Sequence, residues 1–544
     1  MRYNNTNNYL VLQRVLMNNK WISFTLCCVG LLLSACGNEA PKKSEQGKKE
    51  LVYASTKDIR NINPHLYGGE MSAQNMVFES LVINTKEGVK PWLASSWEIK
   101  DEGKTYLFHL RNDVKFSDGT PFNAHSVKQN IDAVLANRAR HAWLELVNEI
   151  SGSEVVDEFT YKLSLKHPYY PTLMELAMTR PFRFLSSNCF TEGSTKEGVK
   201  CYNGTGPWVL GEHEKNAYAL FKTNPTYWGE KPKLQSIKWR VMPDHQTILL
   251  ALQKGEIDLI FGADGDMINL DAFNVLQKEG KYTTLLSQPT ASRAILLNTK
   301  QPITKDKTVR EALQYAIQKE AIVSGILNNS ESIAKTLFSL TTPYCHIALS
   351  PKEYNIEKAK TLLDSAGWLM NEKEGVRMKE GAKMVLRFYY NINNAQEKTI
   401  SEYIQTNFKA LGIELKIIGE EKQAFLDRQK NGDFDLQYSL SWGTPYDPQS
   451  YISSWRMAAH GDYQAQLGLE KKAWLDEKIQ AILIEPEDVK RKAMYEEVLR
   501  YIHDEDVYVP LSYSRTKAVF TPHLKGVSFN PSQYEIAFEK MFFE

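Results

Sequence analysis

The stretch ILLALQKGEIDLIFG, residues 248–262, carries the decisive pattern: an apolar helix, a glycine stop and a buried strand. SEYIQTNFKALGIELKII, residues 401–418, repeats it as helix, glycine, strand. Around these two units the chain alternates strand and helix. LVYAST (51–56), TYLFHLR (105–111), YKLSLK (161–166), SIKWRVMP (236–243) and MVLRFYYN (384–391) read as strands. FDLQYSLSWG (434–443) reads as a buried strand running into a loop. KTVREALQYAIQKEAIVSGIL (307–327) and EKAKTLLDSAGW (357–368) have helical spacing. Asp118-Gly119 marks a turn, and Asn123 or Ser126 can cap the helix after it. Strands interleaved with helices predict α/β layers, and two α/β lobes sharing a ligand cleft suit a chain of 544 residues.

The composition is that of an ordinary globular protein, 42% hydrophobic and 24% charged. Lys and Arg total 66 against 65 Asp and Glu, which excludes the broad basic footprint of a nucleic-acid binder. Residues 22–33, ISFTLCCVGLLL, are too short a run to span a bilayer and fit the core of a signal peptide, with Lys20 as its positive flank. Leu33-Ser34-Ala35-Cys36 resembles a lipobox, which implies cleavage before Cys36 and lipid attachment to its sulfur. Met17 is an alternative start, and residues 37–50 read as a flexible tether. Removing residues 1–35 takes away three basic groups and no acid, so the mature chain is expected to carry a net charge of −2.

Cleavage leaves Cys36, Cys189, Cys201 and Cys345. Cys189 and Cys201 bracket a polar loop and are expected to pair in an oxidising compartment, with soft-metal ligation as the alternative. Cys345-His346 could be a ligand pair or an incidental thiol. The hydrolase, metalloprotease and P-loop signatures are absent. Gly204-Thr205-Gly206-Pro207-Trp208 superficially resembles a phosphate loop, but Pro207 favours a structural turn.

Several blocks in order are similar to the extracytoplasmic solute-binding proteins of peptide- and nickel-type ABC importers, family 5. They are Asn63-Pro64-His65-Leu66-Tyr67, residues 110–122 (LRNDVKFSDGTPF), Tyr227-Trp228-Gly229, Val309-Arg310-Glu311-Ala312-Leu313 and Ala366-Gly367-Trp368. The resemblance covers essentially the whole mature chain. It implies the two-lobed periplasmic-binding-protein fold of type II with an extra subdomain. The chain then crosses twice between lobes, near 288–292 and 510–515. Lobe I takes 51–290 with 514–544 returning to it, and lobe II takes 291–513.

A narrower resemblance is to the nickel-binding members of that family. It rests on Arg140-His141-Ala142-Trp143-Leu144-Glu145-Leu146, Arg180-Pro181-Phe182-Arg183-Phe184, residues 442–448 (WGTPYDP) and residues 460–466 (HGDYQAQ). This resemblance implies His460 as metal ligand and Arg140 and Arg180 as clamps on a chelator's carboxylates. Trp143, Trp442, Tyr446, Tyr67 and Met71 line the site, although Met71 by itself reads more as a gap-filler than as a ligand. The implied ligand is Ni(II) with a small organic chelator, and the implied partner is a membrane permease. The chain is expected to act as a lipid-anchored, extracytoplasmic monomer, without nucleic acid and without catalysis. Peptide or haem binding within the same family is the alternative.

The physics favours a chelate over a bare ion. Two guanidinium groups repel a naked dication at close range. The same groups bind carboxylates through a planar fork of donors and never deprotonate. One imidazole leaves most positions of a nickel ion to other donors.

Overall fold

The computed structural model describes residues 47–262, 267–392 and 394–544. A seven-stranded sheet runs, edge to edge, through Trp208–Glu214, Tyr218–Thr223, Ser236–Val241, Glu50–Ser55, Leu259–Gly262, Lys517–Phe520 and Thr283–Leu286. A six-stranded sheet runs through Ser332–Ile333, Tyr508–Ser514, Ala291–Leu297, Leu436–Leu440, Val385–Asn391 and Glu414–Glu420. Each of the two helix–glycine–strand units supplies a strand to a different sheet: helix His245–Gln253 precedes Leu259–Gly262, and helix Ala395–Ala410 precedes Glu414–Glu420.

A third, antiparallel sheet of four strands (Ala94–Lys100, Thr105–Leu110, Thr160–Leu165, Ile150–Asp157) forms a smaller layer. Its strand Thr105–Leu110 buries Tyr106, Phe108 and Leu110 on one face, the period of two that the sequence displays. Helix Ala124–Leu135 packs nearby. Asn123 and Ser126 close a reciprocal capping box at its start, so both cap candidates act together.

The chain passes from the first sheet to the second between Leu286 and Ala291 and returns between Ser514 and Lys517. The two crossings lie side by side. Ser287 N donates to Thr516 O at 3.0 Å, and Thr290 N donates to Ser514 O at 2.9 Å. Beside them Arg293 and Glu331 form an ion pair at 3.0 Å with both side chains out of solvent. Burial alone would raise the Glu331 pKa, but the Arg293 charge and bonds override it and lower it to about 2.

Each large sheet has its own apolar core. A third cluster joins the four-stranded sheet to helices Gln449–Ser454, Lys472–Ile484 and Asp488–Asp504. Polar contacts accompany it: the Tyr170 and Tyr495 hydroxyls bond, and Arg456 Nη2 reaches Glu145 Oε2 at 3.1 Å.

Two expectations need correction. The tether ends sooner than residue 50, because Lys48 pairs with Asp258 at 2.6 Å and Glu50 already begins a strand. The run 307–327 is not one helix. It ends at Tyr315 and resumes as Lys319–Ala321 and a wider turn at Ile322–Ile326, since Gln318 adopts an extended ψ of 90°. Arg140 lies on the short helix Arg138–His141, and Trp143 lies beyond its end. The signal peptide and Cys36 lie outside the described residues.

Cys189 and Cys201 form a disulfide with Cα atoms 4.9 Å apart, closing a small hairpin. Cys345 is a buried free thiol while His346 is exposed, so the two do not form a ligand pair. Gly204 and Gly206 serve close packing rather than phosphate. A Cβ at Gly204 would stand 2.0 Å from Val77 O, and one at Gly206 would stand 2.6 Å from Met76 O. Among the described residues no helix is long and apolar enough to cross a membrane.

Candidate functional site

Four loops bring the candidate residues together. The opening segment is fixed by Asn63, whose Nδ2 donates to Thr195 O at 2.8 Å, and by His65. The His65 ring is buried and bonds on both nitrogens: Nε2 donates to Arg183 O at 3.1 Å, and Nδ1 accepts from Thr195 Oγ1 at 2.8 Å. A carbonyl can only accept, so Nε2 carries a proton, and burial pushes the ring's pKa down to about 4, which keeps it neutral and leaves Nδ1 to accept. Tyr67 follows two residues later.

Arg140 and Arg180 converge on the Tyr67 ring, with guanidinium carbons 4.8 and 5.3 Å from its centroid. Arg180 Nη1 donates to Gly69 O at 2.9 Å and Gln74 Oε1 at 3.3 Å. Neither arginine has an ion pair among the described residues. The nearby Glu70 is engaged instead by Arg60 at 2.9 Å. Burial lowers the Arg180 pKa, with Tyr67 and Glu70 opposing. Arg183, three residues on, is a different kind of residue. It is buried and spends its donors on Met178 O, Phe78 O, Ala177 O and Glu535.

The aromatic residues form a continuous line. Tyr67 meets Trp143 edge to face at 5.6 Å, Trp143 meets Trp442 at 5.4 Å, and Trp442 lies 6.1 Å from the His460 ring. Trp442 is aimed by the turn behind it. Asp447 Oδ2 accepts from Ser441 Oγ and from Gly443 N at 3.1 Å. Gly443 has φ +78°, and a Cβ there would stand 2.6 Å from Thr290 O, so the Trp-Gly pair is a backbone requirement. Burial raises the Asp447 pKa to about 7 against these bonds.

His460 precedes helix Gly461–Gln466. That helix is tied down by Asp462, which accepts from Tyr451 and Tyr508 hydroxyls at 2.6 and 2.9 Å. The His460 ring nitrogens have no hydrogen-bond partner among the described residues. Burial lowers the imidazole pKa, with Asp462 opposing, so the ring is neutral at neutral pH and able to donate a lone pair to a metal. A cavity of about 680 Å³ opens beside His460 and Trp442, walled also by Thr56, His245, Phe425 and Asp462.

Two predicted residues stand apart from this line. Tyr446 is buried against Ser532 and Glu535 and makes no ring contact with Trp143 or Trp442 among the described residues. Met71 is half-buried at the first position of helix Met71–Val77. Sequence reading missed His141, which is fully buried and bonds the Tyr67 hydroxyl through Nδ1 at 2.7 Å. Its place between Arg140 and Trp143 was the available signal. Among the described residues no three His, Cys, Asp or Glu side chains are gathered to hold a metal.

The arrangement offers two cation forks, aromatic walls and one free imidazole. The nickel-binding periplasmic protein of Escherichia coli (strain K12) is 40% identical over 494 residues, covering 90% of this chain and 94% of that protein. The dipeptide-binding protein of the same organism is 26% identical, covering 89% and 92%. The crystal structure of NikA from Brucella suis in complex with Fe(III)-EDTA superposes with a TM-score of 0.89 at 41% identity, covering 91% of this chain and 100% of that one. The profile of the bacterial extracellular solute-binding proteins, family 5 (middle part), matches residues 88–462, and the chain belongs to that family.

Proposed function

We propose that this protein captures Ni(II) already wrapped in a small carboxylate-bearing chelator, such as histidine, and delivers it to the membrane permease of an ABC importer. One observation carries the reading. Arg140 and Arg180 share the Tyr67 ring with neither ion-paired to a protein carboxylate among the described residues, and an aromatic line joins them to His460, whose ring nitrogens have no hydrogen-bond partner there.

In this reading Arg140 and Arg180 clamp the chelator's carboxylates, and His460 makes the single direct protein bond to nickel. Tyr67, Trp143 and Trp442 exclude water and stack on the organic part, with Tyr446 and Met71 behind them. The chelator fills the remaining metal positions, and one imidazole bond permits release at the permease. The E. coli relative's name and the Fe(III)-EDTA bound by the Brucella relative support a metal held in a carboxylate chelator. Lobe I (51–290 with 514–544) and lobe II (291–513) hinge to bury the chelate. The protein captures and does not catalyse. It works as a monomer outside the cytoplasm, after removal of residues 1–35 and lipidation of Cys36.

The cavity of about 680 Å³ and the dipeptide-binding relative favour a second reading, a peptide or haem ligand. Titration calorimetry of the lipid-free chain with Ni(II), with and without histidine, separates them. Tight binding only with histidine present is expected. Absence of heat in both titrations, with peptide binding instead, would overturn the nickel reading.

A further inference from the structure

His141 has no role in the reading above, yet it sits under the site. It is 0% exposed, its Nδ1 lies 2.7 Å from the Tyr67 hydroxyl, and its Nε2 is buried without a partner among the described residues. The Tyr67 hydroxyl and His141 Nδ1 share one hydrogen bond, and whichever ring nitrogen carries the proton, Nε2 is left as an orphaned donor or acceptor.

An apolar ring of the same size would fill this position without an orphaned polar atom. Buried polar groups left unsatisfied in a folded protein call for a reason. The reason on hand is the Tyr67 ring, which bears Arg140 on one approach and Arg180 on another. A phenol tethered at its hydroxyl cannot swing away from the two guanidinium groups. Burial and the Arg140 charge keep His141 neutral, at a pKa of about 4, so the ring does not titrate near neutral pH.

We propose that His141 is the positioning residue of this site: it locks the Tyr67 ring as the shared platform from which Arg140 and Arg180 present their donors to a ligand's carboxylates. The proposal rests on the chelate-capture reading and names the residue that pre-organises it.

Three variants of the lipid-free chain test it. H141F keeps a ring and removes the hydrogen-bonding partner of Tyr67, H141N keeps a polar atom at the Nδ1 position, and Y67F removes the hydroxyl. Affinity is read by calorimetry with Ni(II) plus L-histidine and with Fe(III)-EDTA. The fold is read by thermal unfolding, and the platform by ring-current shifts of the Arg140 and Arg180 side-chain signals without ligand. H141F is expected to bind roughly tenfold more weakly, the loss of one hydrogen bond's worth of order. Its midpoint should be unchanged or raised, and the arginine signals should move toward unstructured values. H141N should restore both, and the H141F/Y67F double variant should bind no more weakly than either single one. Wild-type affinity and unmoved arginine signals in H141F would overturn the proposal, as would a loss that follows the midpoint and is not restored by H141N. If the wild type binds neither chelate, the functional reading fails by itself, and the arginine signals of H141F still decide the role of His141.

Discussion

Trp143 and Trp442 meet edge to face, ring centroids 5.4 Å apart and planes at 79°, although one belongs to the chain before the first crossing and the other to the chain after it. This pair is where the arginine side of the site touches the histidine side. Edge-to-face pairs contribute about 0.5–1.5 kcal/mol beyond the area they bury. Trp442→Ala should therefore loosen the approach of the two halves and weaken Ni(II)–histidine binding by roughly tenfold. Small-angle scattering of the unliganded variant should give a larger radius of gyration. The same radius and affinity as wild type would remove the pair from any part in closure.

His460→Ala removes a half-buried ring that bonds nothing among the described residues, so stability should change by no more than about 0.5 kcal/mol. Nickel retained through purification, read by elemental mass spectrometry, should fall to background. Unchanged metal content would remove His460 as the direct ligand.

Arg180→Glu places a carboxylate where a ligand's carboxylate is expected. A charge-assisted hydrogen bond is worth about 1.5–3 kcal/mol, so the loss in affinity for Ni(II)–histidine should be at least about tenfold. Arg180→Lys should recover part of it, because a point charge remains without the fork. Arg183→Lys, by contrast, should lower the thermal midpoint, since Arg183 serves three carbonyls and Glu535. Equal affinities across the Arg180 series would end the clamp idea.

The protein should lose stability on mild acidification, and His65 is one named cause. The folded state holds its ring neutral with a pKa of about 4, below the ordinary 6.5. The unfolded chain therefore takes up the proton first. The residue's contribution is complete above about pH 6.5 and fades as pH falls toward about 4, a change on the order of 3 kcal/mol. His65→Gln should flatten denaturant midpoints across that window. A slope in the variant as steep as in the wild type would place the acid sensitivity elsewhere.

The sequence carried the α/β layers because helix–glycine–strand units and alternating strands are local patterns, dictated by backbone conformation and burial. The helical run at 307–327 was misjudged for the complementary reason. Its spacing is helical throughout, but the break at Gln318 is imposed by surroundings that a one-dimensional pattern does not contain. The same limit governed the site. Arg180 and Arg183 share one short motif, and only the fold distinguishes a guanidinium facing a ring from one wrapped in carbonyls. His141 was invisible as a contributor because its value lies in a bond to Tyr67, 74 residues away. Tyr446 lies in a recognisable motif, yet its hydroxyl turns toward Ser532 on the returning C-terminal segment.

The side-by-side crossings at 287–290 and 515–516 have a mechanical consequence. Two ribbons bonded to one another resist twist and lateral slip far more than they resist bending across their common width. Any motion between the two sheets should thereby be confined to something close to a single degree of freedom, as in a door on two pins. Redundancy comes with it. A protease that severs either ribbon leaves the other in place, so a once-nicked chain should migrate as two fragments under denaturing conditions and as one particle in its native state.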